Sequence, residues 1–493
     1  MSQHTPQKIV SNTVVFTGAL MIQKILSFLY FWFLSDRLSP ERLGTYTWAL
    51  SITALFSIGI DLGLSPLLIR ESSRSPERTE KLLRSTLGLK ALFAVATLVL
   101  LAGALFIKHL EPITVLVIAT ASIVMIFDSF GMSFYSVLRS RQNVFFESLG
   151  MLGFHVLVFS LGVALFKISQ SPFLAMIALA AGSVTNATYA WSIVRFKFGM
   201  RTLPQIDRET VLFLLRLVPA FAISGVFVRI YNVADSVLLG YLSGEEAVGF
   251  YSVPAKVVTA LQVLIPGAFI ASIYPAMSYY FRTSRDMLEK IFERSIGYLL
   301  VFALPITVGL LALIPYLLTA VWPAYRQSEP VFYLMVLGLP FLFLTFPSGY
   351  LLNACDRQRQ NTINRGIIAG VNIIINVILI PFLGVVGAGI AFLVSNVLLF
   401  ALDFWWARRI VPFDFRWFFK ITGKTAAASA VMGLAVYLMR EQLPLPVTIM
   451  LGGIVYAIII LALRVFSKEE FALLRSLIRR KPVSEAVPPP SSL

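Results

Sequence analysis

The sequence predicts an all-α membrane protein of about 14 transmembrane helices, arranged as two six-helix lobes related by a parallel internal repeat plus two C-terminal helices. Three observations carry that expectation. Apolar runs of roughly 20 residues recur from residue 9 to residue 466, and a run of that length crosses the ~30 Å hydrocarbon core of a bilayer as one helix. The composition is 58% hydrophobic and 13% charged, with a mean hydropathy of +0.82, where soluble domains carry roughly twice that charged fraction. The third is a short motif that occurs twice. Strands of a membrane barrel would alternate polar and apolar over ~10 residues. These runs do not, so their backbone groups must be satisfied inside helices.

The first run, residues 9–34, is too long for the apolar part of a signal peptide, and no small-residue cleavage site follows. It is read as a retained first helix centred near Leu20. Helices two to six centre near Leu55, Val95, Val124, Phe154 and Leu179. Helices seven to twelve centre near Gly225, Leu264, Phe302, Leu342, Ile373 and Val394, and the last two near Ala430 and Ile454. Short charged or Pro/Gly-rich links separate them, and none could hold a folded extramembrane domain. The lobes are expected at 1–200 and 201–412, and the extra pair at 413–467. Residues 468–493 read as a cytoplasmic segment: an amphipathic basic stretch on anionic headgroups, then a disordered tail, VSEAVPPPSSL.

The net charge is +16. A basic chain invites a nucleic-acid reading, but the distribution opposes it. With links assigned alternately to the two sides, about 31 Lys/Arg fall on the side of the N-terminus and six on the other: Arg37, Arg42, Lys108, Lys167, Arg326 and Arg440. This is the positive-inside asymmetry. It places both termini in the cytoplasm and the chain in the cell (inner or plasma) membrane, with no nucleic-acid partner. The one cysteine, Cys355, allows no internal disulfide.

The repeated motif is Leu38-Ser39-Pro40-Glu41-Arg42-Leu43-Gly44-Thr45-Tyr46 and, later, Leu242-Ser243-Gly244-Glu245-Glu246-Ala247-Val248-Gly249-Phe250-Tyr251. The glycines lie 205 residues apart with six helices between them, an even number that preserves orientation. The same offset relates Lys24 in the first helix to Arg229 in the seventh, both roughly three-fifths of the way outward along their helices, so the two are expected to face each other across one cavity and share a diphosphate.

The first motif, continued by Asp61-Leu62-Gly63-Leu64 and Arg70-Glu71, resembles the start of the polysaccharide/oligosaccharide-lipid flippases. These form the polysaccharide transporter branch of the multidrug/oligosaccharidyl-lipid/polysaccharide exporter superfamily. Asp235-Ser236-Val237-Leu238-Leu239-Gly240 with Gly249-Phe250-Tyr251, and Leu383-Gly384-Val385-Val386-Gly387-Ala388-Gly389, are similar to later parts of that family. The resemblance covers residues 9 to about 466. It implies a central cavity, alternating access, and translocation of a polyprenyl-diphosphate-linked oligosaccharide from the cytoplasmic to the outer leaflet; H⁺, Na⁺ and the membrane potential all stay open as the driving force. It also implies a monomer working near a polysaccharide polymerase and glycosyltransferases, with no cofactor and no enzymatic activity.

Charges at membrane depth cost about 2.5–3.5 kcal/mol each on insertion scales, so they face a cavity or a partner. Lys24 shares one helical face with Thr13, Thr17 and Ser27, and Arg229 shares another with Gly225, Asn232 and Ser236. Lys256 lies between Ser252 and Thr259 on a third. Lys24, Arg229, Lys256 and Asn232 are the candidate substrate-binding residues, since a diphosphate is bound by Arg as a fork and by Lys as a point charge. Snorkelling is the alternative for Lys256, and a local pair with Asp235 or a neighbouring helix is the alternative for Arg229. Asp61, Asp128 and Asp235 are the ion-coupling candidates. Asp61 beside Gly63 is also suited to a structural bond with backbone or Arg70. Asp403, next to Trp405, Trp406, Arg408 and Arg409, reads as an interfacial anchor, and Lys90 as another.

There is no Walker loop, and His4, His109 and His155 are scattered without metal-ligand spacing. Pro219, Pro254, Pro266, Pro305, Pro315, Pro340 and Pro347 interrupt apolar runs, as bending helices require. The rivals are a lipid II or multidrug exporter of the same fold, a membrane polymerase or ligase acting on a lipid-linked sugar, and a non-transporting scaffold. An exporter of organic cations calls for an anionic cavity. A polymerase or ligase calls for a large outer loop with clustered Arg and His, which this chain does not show.

Overall fold

The computed structural model describes residues 6–465 apart from 107 and 109, with side chains from residue 18 onward except 220, 221 and 224. The basic segment and tail expected at 468–493, and the side chains of Thr13 and Thr17, lie outside the described residues. Every regular element is a helix. In order they are α1 Pro6–Arg37, α2 Pro40–Asp61, α3 Leu64–Arg74, α4 Thr79–Phe106, α5 Pro112–Ser140, α6 Phe145–Phe166, α7 Pro172–Ser192, α8 Arg208–Leu242, α9 Glu245–Gln262, α10 Ala268–Thr283, α11 Arg285–Ala320, α12 Glu329–Leu337, α13 Leu339–Ala354, α14 Gln358–Leu383, α15 Val385–Ala407, α16 Phe415–Met439 and α17 Leu445–Ala462. Among the described residues they make 14 spans long and apolar enough to cross a membrane. The fourteen apolar runs read from the sequence correspond to these spans one for one.

The repeated motif has a physical meaning at both copies: it starts a helix and then lets another helix come close. Ser39 caps α2 by accepting from the Arg42 amide, with Pro40 at the first helical position and Glu41 in the first turn. The second copy begins α9 at Glu245, after Gly244 at φ 89°. A Cβ on Gly44 would strike the carbonyl of Glu245, and a Cβ on Gly249 would strike the carbonyl of Pro40. The contact is reciprocal, because residues 40 and 245, like 44 and 249, differ by the repeat offset. Thr47 and Ser252, also 205 apart, hydrogen-bond each other at 2.9 Å. A two-fold pseudo-axis therefore passes between these hydroxyls, where α2 crosses α9.

The seam is extended by further bonds between the lobes. Thr45 donates to Glu245, whose other oxygen accepts from Thr114 at 2.8 Å. The Trp48 indole donates to the Val237 carbonyl at 3.3 Å, and Tyr325 to the Leu38 carbonyl at 2.9 Å.

Both helices of the seam also break at equivalent places. α2 ends at Asp61, where Leu62 and Gly63 take φ 40° and 79° before α3 resumes. α9 ends at Gln262 in a π-helical turn, Val263–Gly267, that contains Pro266. A residue without an amide hydrogen cannot continue the ladder. Discontinuous helices in matching positions of two repeats mark the binding region of transporter folds.

The chain divides into two compact units. One comprises Met1–Ile296 and Ile314–Phe413 and holds the α2–α9 seam and both helix breaks. The other combines Gly297–Leu313 with Asp414–Leu493. Within the second, Gly433 packs on Val308, Gly452 on Val436, and the Tyr456 hydroxyl donates to the Val301 carbonyl at 2.6 Å.

Candidate functional site

A cavity of about 520 Å³ opens beside the α2–α3 break. α2 lines it with Leu50, Thr53, Ala54, Ser57 and Asp61, one face at i, i+3, i+4 spacing. α5 adds Asp128 and Ser129, and α8 adds Gly225, Arg229 and Asn232. Four of the residues singled out in the sequence, Asp61, Asp128, Arg229 and Asn232, thus meet around one space. Arg229 reaches from α8 to α2, where Nε donates to the Ala54 carbonyl at 3.1 Å and Nη2 to Ser57 Oγ at 2.8 Å. Its charge also acts on Asp128. The pair with Asp235 considered from sequence is not formed.

Lys24 does not face Arg229 across this cavity as the shared depth predicts: it lies with Lys256 at a different place, because residues equivalent under the repeat sit at equivalent but separate interfaces. Lys256 Nζ donates to Ser27 Oγ at 3.1 Å and stands 5.3 Å from the Phe31 ring centroid, so its head is held on α1 one turn beyond Lys24. Lys24 and Lys256 act electrostatically on each other and on His155 of α6. The His155 ring is fixed by a 2.9 Å contact of Nδ1 with the Met151 carbonyl. Among the described residues neither lysine has a carboxylate within ion-pair distance. Arg229 on α2 and Lys24 near α9 occupy equivalent lobe interfaces, as their 205-residue offset requires.

Asp235 forms a third cluster. Its Oδ1 accepts from Asn372 at 2.9 Å and Asn376 at 2.6 Å, and its Oδ2 accepts from Tyr251 at 2.7 Å. Asn372 also donates to Ser395 at 3.3 Å. Buried polar groups need such partners, and this set ties α8, α9, α14 and α15 together.

Two sequence expectations are corrected. Lys90 is no interfacial anchor: it is fully buried and pairs with Asp61 at 2.6 Å. Asp61 therefore bonds Lys90 and Ser65 rather than Arg70, whose Nε bonds Glu71 at 2.7 Å. The depth of Lys90, eleven residues into a 28-residue helix, was the available signal. Asp403 is likewise fully buried, accepting from Asn364 at 2.7 Å with Arg365 at 3.6 Å. Its aromatic neighbours instead hold Arg409, stacked 3.7 Å over Trp405. Glu245 and His155 were also missed as polar hubs. Nothing in local spacing links either to its partners.

A second, more polar cavity of about 790 Å³ lies beyond the seam, between Glu41, Arg42, Lys108, Glu111, Gln170 and Glu246. Lys108 donates to the Gly240 carbonyl at 2.5 Å and faces Trp48, and burial draws its ammonium below the usual lysine range.

Over residues 9–281, more than half its length, the sequence matches the family described as polysaccharide biosynthesis protein. The chain belongs to that family. A membrane protein of Methanocaldococcus jannaschii with no assigned role is 26% identical over 274 residues, 53% of this chain and 52% of its own. The probable flippase AglR of Haloferax volcanii is 32% identical over 173 residues, 34% of this chain and 36% of its own. The chain thus spans about half the length of the first relative and about a third of the second. Among solved structures, the lipid II flippase MurJ in an inward closed conformation superposes with a TM-score of 0.74 at 17% identity, over 94% of this chain and 100% of that one. An inward-facing multidrug resistance MATE family transporter of the MOP superfamily gives 0.64 at 17%, over 80% and 98%. The family resemblance read from the motifs holds, and the fold is one that membrane transporters use.

Proposed function

We infer that the protein flips a polyprenyl-diphosphate-linked oligosaccharide from the cytoplasmic to the outer leaflet of the cell membrane by alternating access, for cell-surface polysaccharide synthesis. The observation that carries this reading is the Lys24–Lys256 pair, two cations at membrane depth with no carboxylate partner among the described residues. A half-buried charge at membrane depth without a counter-charge is costly, and a diphosphate brought in by the cargo supplies one. Family membership and the name of the Haloferax relative support the same cargo class.

Lys24 and Lys256 hold the diphosphate, while Arg229 and Asn232 meet the headgroup from the cavity beside the α2–α3 break. Of the three candidate carboxylates, Asp128 and Asp235 are available to a coupling H⁺ or Na⁺, whereas Asp61 is engaged by Lys90. The lobes, 1–200 and 201–412, rock so that the α2–α9 crossing parts when the outer side opens, and 413–467 forms the additional helix pair. Both termini face the cytoplasm, so the seam closes the outer side. The protein works as a monomer near the polymerase and glycosyltransferases that make and use its cargo, and performs no covalent chemistry itself.

The test is transfer of a fluorescent polyprenyl-diphosphate oligosaccharide across proteoliposomes, with binding measured in parallel. Truncating one partner of a desolvated charge contact costs about 2–5 kcal/mol. Lys24→Ala, Lys256→Ala or Arg229→Ala should therefore weaken binding at least about tenfold. Arg229→Lys should restore only part, because a point charge replaces a fork. Wild-type transfer by a well-folded Lys24→Ala/Arg229→Ala variant would refute the reading. Lipid II as competitor tests the same-fold exporter alternative.

A further inference from the structure

Lys90 ends in a shell of oxygens. No part of its side chain is exposed. The ammonium lies 2.6 Å from Asp61 Oδ1, 3.0 Å from Ser65 Oγ and 2.7 Å from the Ser129 carbonyl oxygen. Three N–H donors meet three acceptors, one each from α2, α3 and α5. Ser65 closes the ring by donating to the same Asp61 oxygen at 2.5 Å. Ile60, next to Asp61 in the chain, packs with Ala94 and Met125 in an apolar cluster.

A carboxylate, a hydroxyl and a main-chain carbonyl, gathered where one helix ends and another begins, form the kind of shell that takes a hard cation. On its open side Asp61 borders the 520 Å³ cavity, which gives a small ion a path to the shell when the ammonium is absent.

We propose that Lys90 is a tethered cation: its ammonium fills a monovalent-cation site at the α2–α3 break, so Asp61 takes up no ion from solution. An ion that drives transport then acts at Asp128 or Asp235. Neither of those carboxylates has a lysine at such a distance among the described residues. An ordinary structural ion pair behaves differently, because removing its lysine leaves a carboxylate that no small ion can relieve.

The proposal is tested on the full-length protein in detergent, without cargo, so its outcome is independent of the identity of the transported lipid. Thermal unfolding of the wild type, Lys90→Ala and Asp61→Asn/Lys90→Ala is followed in sodium chloride, potassium chloride and choline chloride at equal ionic strength. Lys90→Ala should gain at least about 2 °C more than the wild type on replacing choline by sodium or potassium. The double variant, lacking the carboxylate charge, should return to the wild-type response. An identical cation response in Lys90→Ala and the wild type overturns the proposal, as does a response that persists in the double variant. Failure of Lys90→Ala to accumulate folded in any of the salts overturns it too, since a solution ion then does not replace the ammonium.

Discussion

Asp207 shows how a single side chain sets a helix start outside the membrane. It caps α8, accepting from the Thr210 amide at 3.0 Å and the Thr210 hydroxyl at 2.6 Å, with Lys81 Nζ at 3.0 Å. These donors, the Thr210 hydroxyl first, draw its carboxyl down to about 2. A carboxylate held below its unfolded value of about 3.9 stabilises the folded state fully above that value, and the contribution disappears as pH falls towards the folded one. The amide-exchange protection factors of Thr210 and Val211, corrected for the intrinsic pH dependence of exchange, should therefore be flat from pH 7 to 5 and fall between about pH 4 and pH 2. Asp207→Ala should exchange faster at neutral pH and show no such step. A step in the variant equal to that of the wild type would assign it to another group.

The lobe seam and the helix breaks are events of elements, and they divide what the sequence discloses from what it hides. Periodicity and composition disclose the helices, since each apolar run must satisfy its own backbone. The 205-residue offset discloses that Lys24 and Arg229 are equivalent. It does not say that they stand at two separate interfaces, because equivalence under a two-fold does not require contact. Lys90 and Asp61 are hidden for a similar reason: the shell joins three helix segments, and no window along the chain contains it. Asp403 misleads because its sequence neighbours are interfacial while its side chain turns inward to Asn364.

The seam itself makes a sharp prediction. Gly44→Ala should overpack α2 against the Glu245 carbonyl and cost about 1–3 kcal/mol in the sealed state. Gly63→Ala, at φ 79°, should cost about 1–2 kcal/mol without touching the seam. Modification of a reporter cysteine at Glu246 by a membrane-impermeant reagent separates the two. It should accelerate in Gly44→Ala and stay unchanged in Gly63→Ala. Acceleration in both would mean that the glycine contact does not control closure.

For the whole molecule, alternating access requires the α2–α9 crossing to part. A Thr47→Cys/Ser252→Cys variant places two sulfurs where hydroxyls now lie 2.9 Å apart. Oxidation should abolish cargo transfer, and reduction should restore it. Transfer that continues with the disulfide formed would show that the lobes move without opening this seam. The native background suits the experiment. Cys355, the one cysteine, is buried, and burial pushes its thiol up to about 12, so it should resist maleimide at pH 7–8. Topology follows from the charge asymmetry: reporters fused at Ser243 and after the last described helix should lie on opposite sides, and equal sidedness would reverse the assignment of the seam to the outer face.

The hydrogen bond between Thr47 and Ser252 also has a bearing on ancestry. Positions 205 apart that touch each other are the signature of an isologous contact, the kind a symmetric homodimer makes when a residue on the axis meets its own copy. A half-length chain of six helices carrying one copy of the motif could build this crossing by pairing with itself, threonine against threonine and glycine under carbonyl on both sides. Fusion of two such halves frees each to diverge. One lobe could then keep an arginine and gain a lysine at position 256, while the other kept a lysine and left Ser51 in the matching place.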